Sequence, residues 1–207
     1  MIPVQPPYLL QKCFGSLLWR IEEKQKVLYL TFDDGPIPQV TPFVLDTLAK
    51  YQAKATFFCI GDNVRKHQQI YNDVINQKHV TANHTYNHIS GWETTDFDYL
   101  KNIKQAGQLI SSNYFRPPYG RITPSQIRML KHNYKIVMWD VLSMDYKLKI
   151  TGMQCYMNVK KHARPGSIIV FHDSLKAFAR LKIALPATLK HFSDAGYIFK
   201  ALPLHQL

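Results

Sequence analysis

Short apolar segments alternate with longer amphipathic ones along the chain, and this alternation limits the fold more than any other feature. Candidate strands rich in β-branched and aromatic residues lie at 27–32, 55–60, 79–81, 113–116, 135–139, 167–171 and 197–200. Between them run helical patterns such as VTPFVLDTLAKY, FDYLKNIKQAGQLISS, TPSQIRMLKHN and LPATLKHFSDAG. The second repeats Leu100, Ile103, Gly107 and Ile110 at helical spacing, and the third opens on Thr123 followed by Pro124, a cap and a first-turn proline. Asp194-Ala195-Gly196 closes the last pattern as helices commonly close. Strands joined through helices pair in parallel, because each parallel connection needs a crossover. No linker or shift in composition divides the chain, so a single domain over 1–207 is expected, with 1–25 packing on it as an N-terminal segment. Such units build either a closed barrel or an open doubly wound sheet. The first strand is not followed by the Gly-rich turn that a dinucleotide binder needs. The expected fold is therefore α/β, a distorted parallel (β/α) barrel with about seven strands.

A parallel barrel places its chemistry where strands end and loops begin. The residues just past the candidate strands are Asp33 and Asp34, His84 and His88, Arg116 to Gly120, Asp140 to Tyr146, and His172 with Asp173. Turn chemistry supplies aspartates but not so many histidines and arginines. In LTFDDGP, Leu30 to Pro36, two adjacent carboxylates follow an apolar strand, where each disfavours ionisation of the other. An exposed turn would tolerate them, but a cation would offset the repulsion. In NHTYNH, His84 and His88 stand four apart, so on a helical turn both imidazoles share a face and can share a metal. Histidines so spaced also occur on solvated helices. A carboxylate from another strand end, with Asp34 the candidate, would complete a two-His, one-carboxylate set that leaves positions open for water and substrate. Asn83-His84-Thr85 matches a glycosylation acceptor, but a glycan there would block the site.

The motifs TFDDGP, HTYNH, RPPYG, WDVLSMDY and IIVFHDS, in this order and spacing, resemble those of the polysaccharide deacetylases of carbohydrate esterase family 4, metal-dependent enzymes that remove acetyl groups from N-acetylated sugars. The likeness spans Leu30 to roughly Ser174. It implies that Asp34, His84 and His88 hold a divalent metal, zinc first and cobalt or nickel as alternatives. It implies that Asp33 is the general base, that Arg116 orients it, that the Tyr119 backbone N–H stabilises the oxyanion, and that His172 is the general acid. Pro118, Tyr119, Trp92, Tyr146 and Phe171 are its candidate substrate-binding residues, whereas Trp139, inside a candidate strand, reads as core. The division of labour is chemically coherent: amide hydrolysis needs an activated water, a stabilised oxyanion and a proton for the departing nitrogen. The sequence departs from the family pattern at Leu142, where an aspartate usually tunes the acid histidine. Asp140, Asp145 or Asp173 must then supply that carboxylate, or the pKa of His172 falls. Tyr146 replaces a usual tryptophan, and KHVTANH lacks the glycine common before the histidine motif.

The expected activity is metal-dependent removal of N-linked acetyl groups from an N-acetylglucosamine-containing glycan, peptidoglycan or chitin-like. O-acetyl ester or small-amide hydrolysis could use the same site. A polyanion-binding module on a degenerate scaffold would have lost catalytic groups, yet Asp33, Asp34, His84, His88, Arg116 and His172 are all present. Net charge is +12, from 26 Lys plus Arg against 14 Asp plus Glu, spread without a block. That balance suits an anionic glycan, and no nucleic-acid partner is expected. Hydrophobic content of 46% and charged content of 19% exclude a disordered chain. Cys13, Cys59 and Cys155 lie too far apart to argue a zinc knuckle or a disulfide framework, and Cys59 in ATFFCI reads as core. The first 21 residues are apolar but broken by Pro3, Pro6, Pro7, Gln11 and Lys12. They do not read as a secretory signal, and no run approaches the ~20 residues that span a bilayer. A cytoplasmic location follows for the chain as it stands, and the cell envelope if a precursor segment was removed. Phe14, Leu17, Leu18 and Trp19 are expected to pack over one end of the domain, with peripheral membrane contact as the alternative. His67, His79, His132, His162, His191 and His205 lie away from the motifs and read as structural.

Overall fold

The run VLYLTFD forms β1 (Val27–Asp33), buried along its whole length because parallel neighbours and helices cover both faces. The structure, a computed structural model, describes residues 3–203; Met1, Ile2 and 204–207, His205 among them, lie outside the described residues. The remaining strands are β2 (Ala55–Cys59), β3 (Val80–Asn83), β4 (Tyr114–Phe115), β5 (Lys135–Ile136), β6 (Val141–Leu142), β7 (Ile168–His172) and β8 (Ile198–Phe199). They are flanked by α1 (Tyr8–Cys13), α2 (Val40–Ala49), α3 (Gly61–Lys66), α4 (Gln68–Asn76), α5 (Asp96–Gly107), α6 (Pro124–Leu130), α7 (Gly152–His162) and α8 (Leu175–Asp194). The sheet runs β5-β4-β3-β2-β1-β7-β6, with β8 paired to the start of β1, and all these pairs are parallel. The result is a curled half-barrel of parallel strands wrapped in helices, in line with the expected α/β barrel.

The sequence pattern 135–139 reads as one strand, but the chain changes partners along it. Lys135 and Ile136 pair with β4, whereas Val141 and Leu142 pair with β7, so one extended run joins the two edges of the sheet. The N-terminal segment seals the seam rather than capping one end. Leu18 bridges in parallel to Val137, Arg20 bridges to Ser167, and Leu142 donates its N–H to Val4 O. Leu17 and Trp19 are buried in the same apolar cluster as Tyr99, Ile127 and Met138.

Several helices escape the periodicity argument. α7 starts from a capping box between Thr151 and Gln154, a signal present in the sequence as TGMQ. α8 begins ten residues before the pattern LPATLKHFSDAG, and Pro186 of that pattern lies inside the helix. Leu181, Ala184, Leu185 and Leu189 form one buried face across that proline, and packing outweighs its local cost. His79 is a satisfied core histidine: its Nδ1 accepts the Ala55 N–H at 3.2 Å. Burial holds its pKa down at about 4, so it is neutral. The three cysteines are free thiols, with Cys59 and Cys155 buried. No helix among the described residues is long and apolar enough to cross a membrane.

Gly166 sits where the N-terminal segment meets β1 and β7. Its φ is +82°, and a Cβ would lie 1.8 Å from Ile21 O. Gly166→Ala should therefore lower stability by roughly 1–3 kcal/mol. Urea unfolding would show this as a lower midpoint at constant slope, and an unchanged midpoint would contradict the closure described here.

Candidate active site

All the strands point their C-terminal ends at one rim, and five of them deliver polar groups to it. β1 ends at Asp33, and Asp34 follows with φ of +85°, a left-handed conformation that turns its side chain away from its neighbour's path. Asn63 Nδ2 holds this turn by donating to Asp34 O at 2.7 Å. Gly35 is required by packing: a Cβ there would lie 2.0 Å from Oδ2 of buried Asp173. That carboxyl accepts the Gly35 N–H and the Thr41 hydroxyl, tying the loop after β1 to β7. Burial raises the Asp173 pKa to about 8.

His84 and His88 do not sit on a helix. β3 ends at Asn83, and the chain then bends through left-handed Thr85 and His88, with φ of +63° and +57°. Buried Asn83 shapes the bend by accepting the Thr85 N–H, and Asn102 Oδ1 accepts the N–H groups of Tyr86 and Asn87. The Asn83 amide also donates to Ile103 O, which leaves no room for a glycan on it. Through this bend both imidazoles reach Asp34: His88 Nε2 lies 3.2 Å and His84 Nε2 3.9 Å from Asp34 Oδ1. His84 Nδ1 lies 2.8 Å from Arg116 O, so the ring donates there and presents a bare Nε2 to the site. Burial lowers the His84 pKa to about 4, which keeps it neutral. Burial works against ionised Asp34, but His88 and the other site histidines more than offset it and hold the carboxyl below its usual range. The candidate ligand atoms of Asp34, His84 and His88 all fall within 4.8 Å of one another. Asp34 Oδ1 is buried and, although His88 Nε2 lies 3.2 Å away, it accepts no well-aligned hydrogen bond among the described residues, as expected of an atom placed for a cation. The donor set and this orphaned oxygen fit a divalent metal.

Asp33 faces the same space and has a different partner. Arg116, the residue after β4, is buried and donates from Nη1 to Asp33 Oδ1 at 2.6 Å and to Thr31 Oγ1 at 2.8 Å. Its Nη2 donates to Met138 O at 2.8 Å, and the guanidinium lies 4.0 Å from the Phe58 ring centre. Asp33 Oδ2 remains 4.0 Å from His84 Nε2, outside hydrogen-bonding distance. In RPPYG the chain makes a 3₁₀ turn in which Tyr119 takes φ of +60°. The N–H groups of Gly120 and Arg121 bond back to Pro117 and Pro118, while that of Tyr119 has no backbone acceptor among the described residues.

On the opposite wall, His172 ends β7. Asp145 accepts from His172 Nδ1 at 2.7 Å with one oxygen and from the His172 backbone N–H at 2.8 Å with the other. Of the three candidate substitutes for the missing aspartate, Asp145 takes the position. Asp140 instead binds Ser167, Arg164 and Gln5, and Asp173 is engaged with Gly35 and Thr41. Burial pushes the His172 pKa down, but the Asp145 carboxylate more than reverses this and raises it to about 9. The expected fall in the absence of an aspartate at position 142 therefore does not occur.

These groups surround a cleft of about 270 Å³ whose apolar floor includes Leu142 and Val170. Tyr119 and Tyr146 line it, as does Trp139, which is buried to 8% exposure yet lies outside any strand. Three candidate substrate residues fall elsewhere. Phe171 is fully buried and stacks on Phe32, because alternation along β7 turns it to the helix layer when His172 and Val170 face the cleft. Pro118 is buried behind the turn, and Pro117 lines the cleft instead. Trp92 is 65% exposed and walls a neighbouring apolar cavity of about 450 Å³ that shares Tyr119, Gly120 and Trp139 with the cleft. Sequence reasoning missed Thr31, Asn63 and Asn102, whose roles depend on contacts distant in sequence.

A carboxylate clamped by arginine, a candidate metal-ligating triad and a facing histidine paired with a carboxylate meet at the C-terminal rim of a parallel half-barrel. Residues 20–137 match the family described as polysaccharide deacetylase. A peptidoglycan-N-acetylglucosamine deacetylase of Bacillus cereus is 32% identical over 193 residues, covering 89% of this chain and 90% of that protein. Peptidoglycan-N-acetylmuramic acid deacetylase PdaC of Bacillus subtilis is 32% identical over 185 residues, covering 86% of this chain and 38% of that longer protein. The Bc1960 peptidoglycan N-acetylglucosamine deacetylase, solved in complex with 4-naphthalen-1-yl-N-oxidanyl-benzamide, superposes with a TM-score of 0.87 at 29% identity, covering 96% of this chain and 95% of that one. The chain belongs to the polysaccharide deacetylase family, and it is a hydrolase of the acetamide bond of N-acetylated sugars.

In the metal-free protein the His172 ring should titrate near pH 9, and Asp145→Asn should move that titration to lower pH by at least about one unit. Asp140→Asn should leave it in place. Two-dimensional NMR of the ring carbons measures all three; an unmoved His172 in Asp145→Asn would refute the assignment of the pair.

Proposed function

We propose that this enzyme removes the acetyl group from N-acetylglucosamine in peptidoglycan, with zinc as its resident metal. The reading is carried by one juxtaposition: an arginine-clamped carboxylate beside the Asp34, His84 and His88 triad, across a cleft from a histidine raised to about pH 9. The relatives' names support the polymer, and the two-nitrogen, one-oxygen donor set supports zinc. A wall-polymer substrate also assigns the enzyme to the cell envelope.

Asp34, His84 and His88 would hold a divalent cation, which would supply Lewis-acid polarisation of the acetamide carbonyl and would acidify water beside it. Asp33, fixed by Arg116, takes the proton of the attacking water as the new C–O bond forms. The Tyr119 N–H donates to the carbonyl oxygen as that oxygen gains charge. His172 then gives its proton to the sugar nitrogen as the C–N bond breaks, so the amine leaves neutral; the acetic acid formed ionises to acetate, and loss of the proton from Asp33 and its regain by His172 through solvent reset the site. The Asp145 carboxylate keeps His172 protonated and aimed until that moment. Tyr119, Tyr146 and Trp139 offer faces on which the sugar ring packs.

Chelation should abolish acetate release from peptidoglycan glycan strands, and one equivalent of zinc should restore it. Asp34→Ala should lose zinc binding. Asp33→Asn should keep one bound zinc and lose roughly 10²- to 10⁴-fold in turnover, the range for removing a general base. Zinc-independent release, or full activity in Asp33→Asn, would contradict the mechanism.

A further inference from the structure

The catalytic cleft continues on its His172 side into a second recess of about 350 Å³, and the two share Tyr146 and Lys176 as walls. Lys147, Lys149 and Lys176 surround this recess. Lys149 and Lys176 are exposed and Lys147 is half-buried. Among the described residues none of the three has a carboxylate within ion-pair distance. Some surface cations are neutralised locally, Arg65 and Lys66 by Asp62, Arg121 by Glu93, and Lys190 by Asp194; what marks these three lysines is that they meet round one recess. Few acids are free to neutralise them, because Asp33, Asp140, Asp145 and Asp173 are buried and Asp34 faces His84 and His88. Three lysines without a carboxylate partner, round a concavity that shares two of its walls with the cleft, make a surface suited to an anion.

We propose that Lys147, Lys149 and Lys176 bind the carboxylate of an acidic sugar adjacent to the N-acetyl sugar being hydrolysed. This rests on the glycan deacetylase reading, since alternate sugars of peptidoglycan carry a lactyl ether whose carboxyl group is a free carboxylate where the stem peptide has been removed. The ammonium groups donate charge-assisted hydrogen bonds to that carboxylate and set the register of the glycan, so that the neighbouring acetamide falls between Asp33 and His172. Leu148 and Leu175, 71% and 67% exposed beside the lysines, are what a lipid surface would use. The glycan is favoured because the lysines line a recess, and Lys176 lines the cleft itself, which a flat bilayer does not enter.

The test compares binding of zinc-loaded enzyme to peptide-free glycan strands bearing free lactyl carboxylates and to the same strands with those carboxylates amidated. Wild type should bind the charged strand about tenfold more tightly, as expected of three exposed ion pairs, and salt should erode the difference. Replacing Lys147, Lys149 and Lys176 together by Gln should equalise the two affinities. A preference that survives in the triple variant, or no preference in wild type, would overturn the subsite. So would equal affinity for both strands combined with lysine-dependent binding to vesicles containing phosphatidylglycerol. Acetate release is followed in parallel: its absence from both strands would refute the deacetylase reading, while the binding ratio still judges the lysines.

Discussion

The Arg116 guanidinium is the pivot of the molecule. It is 1% exposed, and it reaches Asp33 and Thr31 on β1, the carbonyls of Val137 and Met138 on the seam, and the face of Phe58 on β2. Thr31 in turn donates to Ile169 O on β7. Burial opposes the guanidinium charge and lowers its pKa, and the Asp33 carboxylate offsets this only in part. Breaking such a pair by removing one partner typically costs about 3–5 kcal/mol, because the other charge is left buried alone. Here the loss would also free the carbonyls that join the run 135–142 to the barrel interior. Closure of the sheet and placement of the base therefore depend on one side chain.

Around that pivot, backbone strain gathers at the rim. Asp34, Thr85, His88, Tyr119 and Met144 all have positive φ, and each is within the site or next to one of its residues. Conformations of this kind cost on the order of 1–3 kcal/mol per residue and persist only where the surroundings over-determine them. The side-chain amides of Asn63, Asn83 and Asn102 provide that determination by bonding the strained backbone. Held in this way, the rim keeps Asp33, Asp34, His84, His88 and His172 in fixed relation, as the proposed chemistry needs.

Much of this was legible in the sequence because the signals were local. Apolar runs marked the long buried strands, and the motifs at their ends named the polar groups of the rim. The misreadings share one cause, which is that partner identity is not local. Nothing in KIVMWDVL announces that its first residues pair with β4 and its last with β7. Likewise, the spacing of His84 and His88 mimics a helix, but the bend through Thr85 brings them together. Asp145 could be named only as one of three candidates, since its reach to His172 crosses from the loop after β6 to the end of β7. Phe171 is different: period-two alternation with His172 was present in the sequence and excludes it from the cleft. The adjacent carboxylates of LTFDDGP are resolved by the same geometry, one turned to a guanidinium and the other to His84 and His88.

That division between Asp33 and Asp34 is the central claim, and anomalous diffraction from zinc-soaked crystals of this chain tests it most directly. The account predicts one peak at bonding distance from Asp34 Oδ1, His84 Nε2 and His88 Nε2, with Asp33 still on Arg116 and outside the coordination sphere. A peak that takes Asp33 as a ligand, or that lies away from this triad, would contradict it.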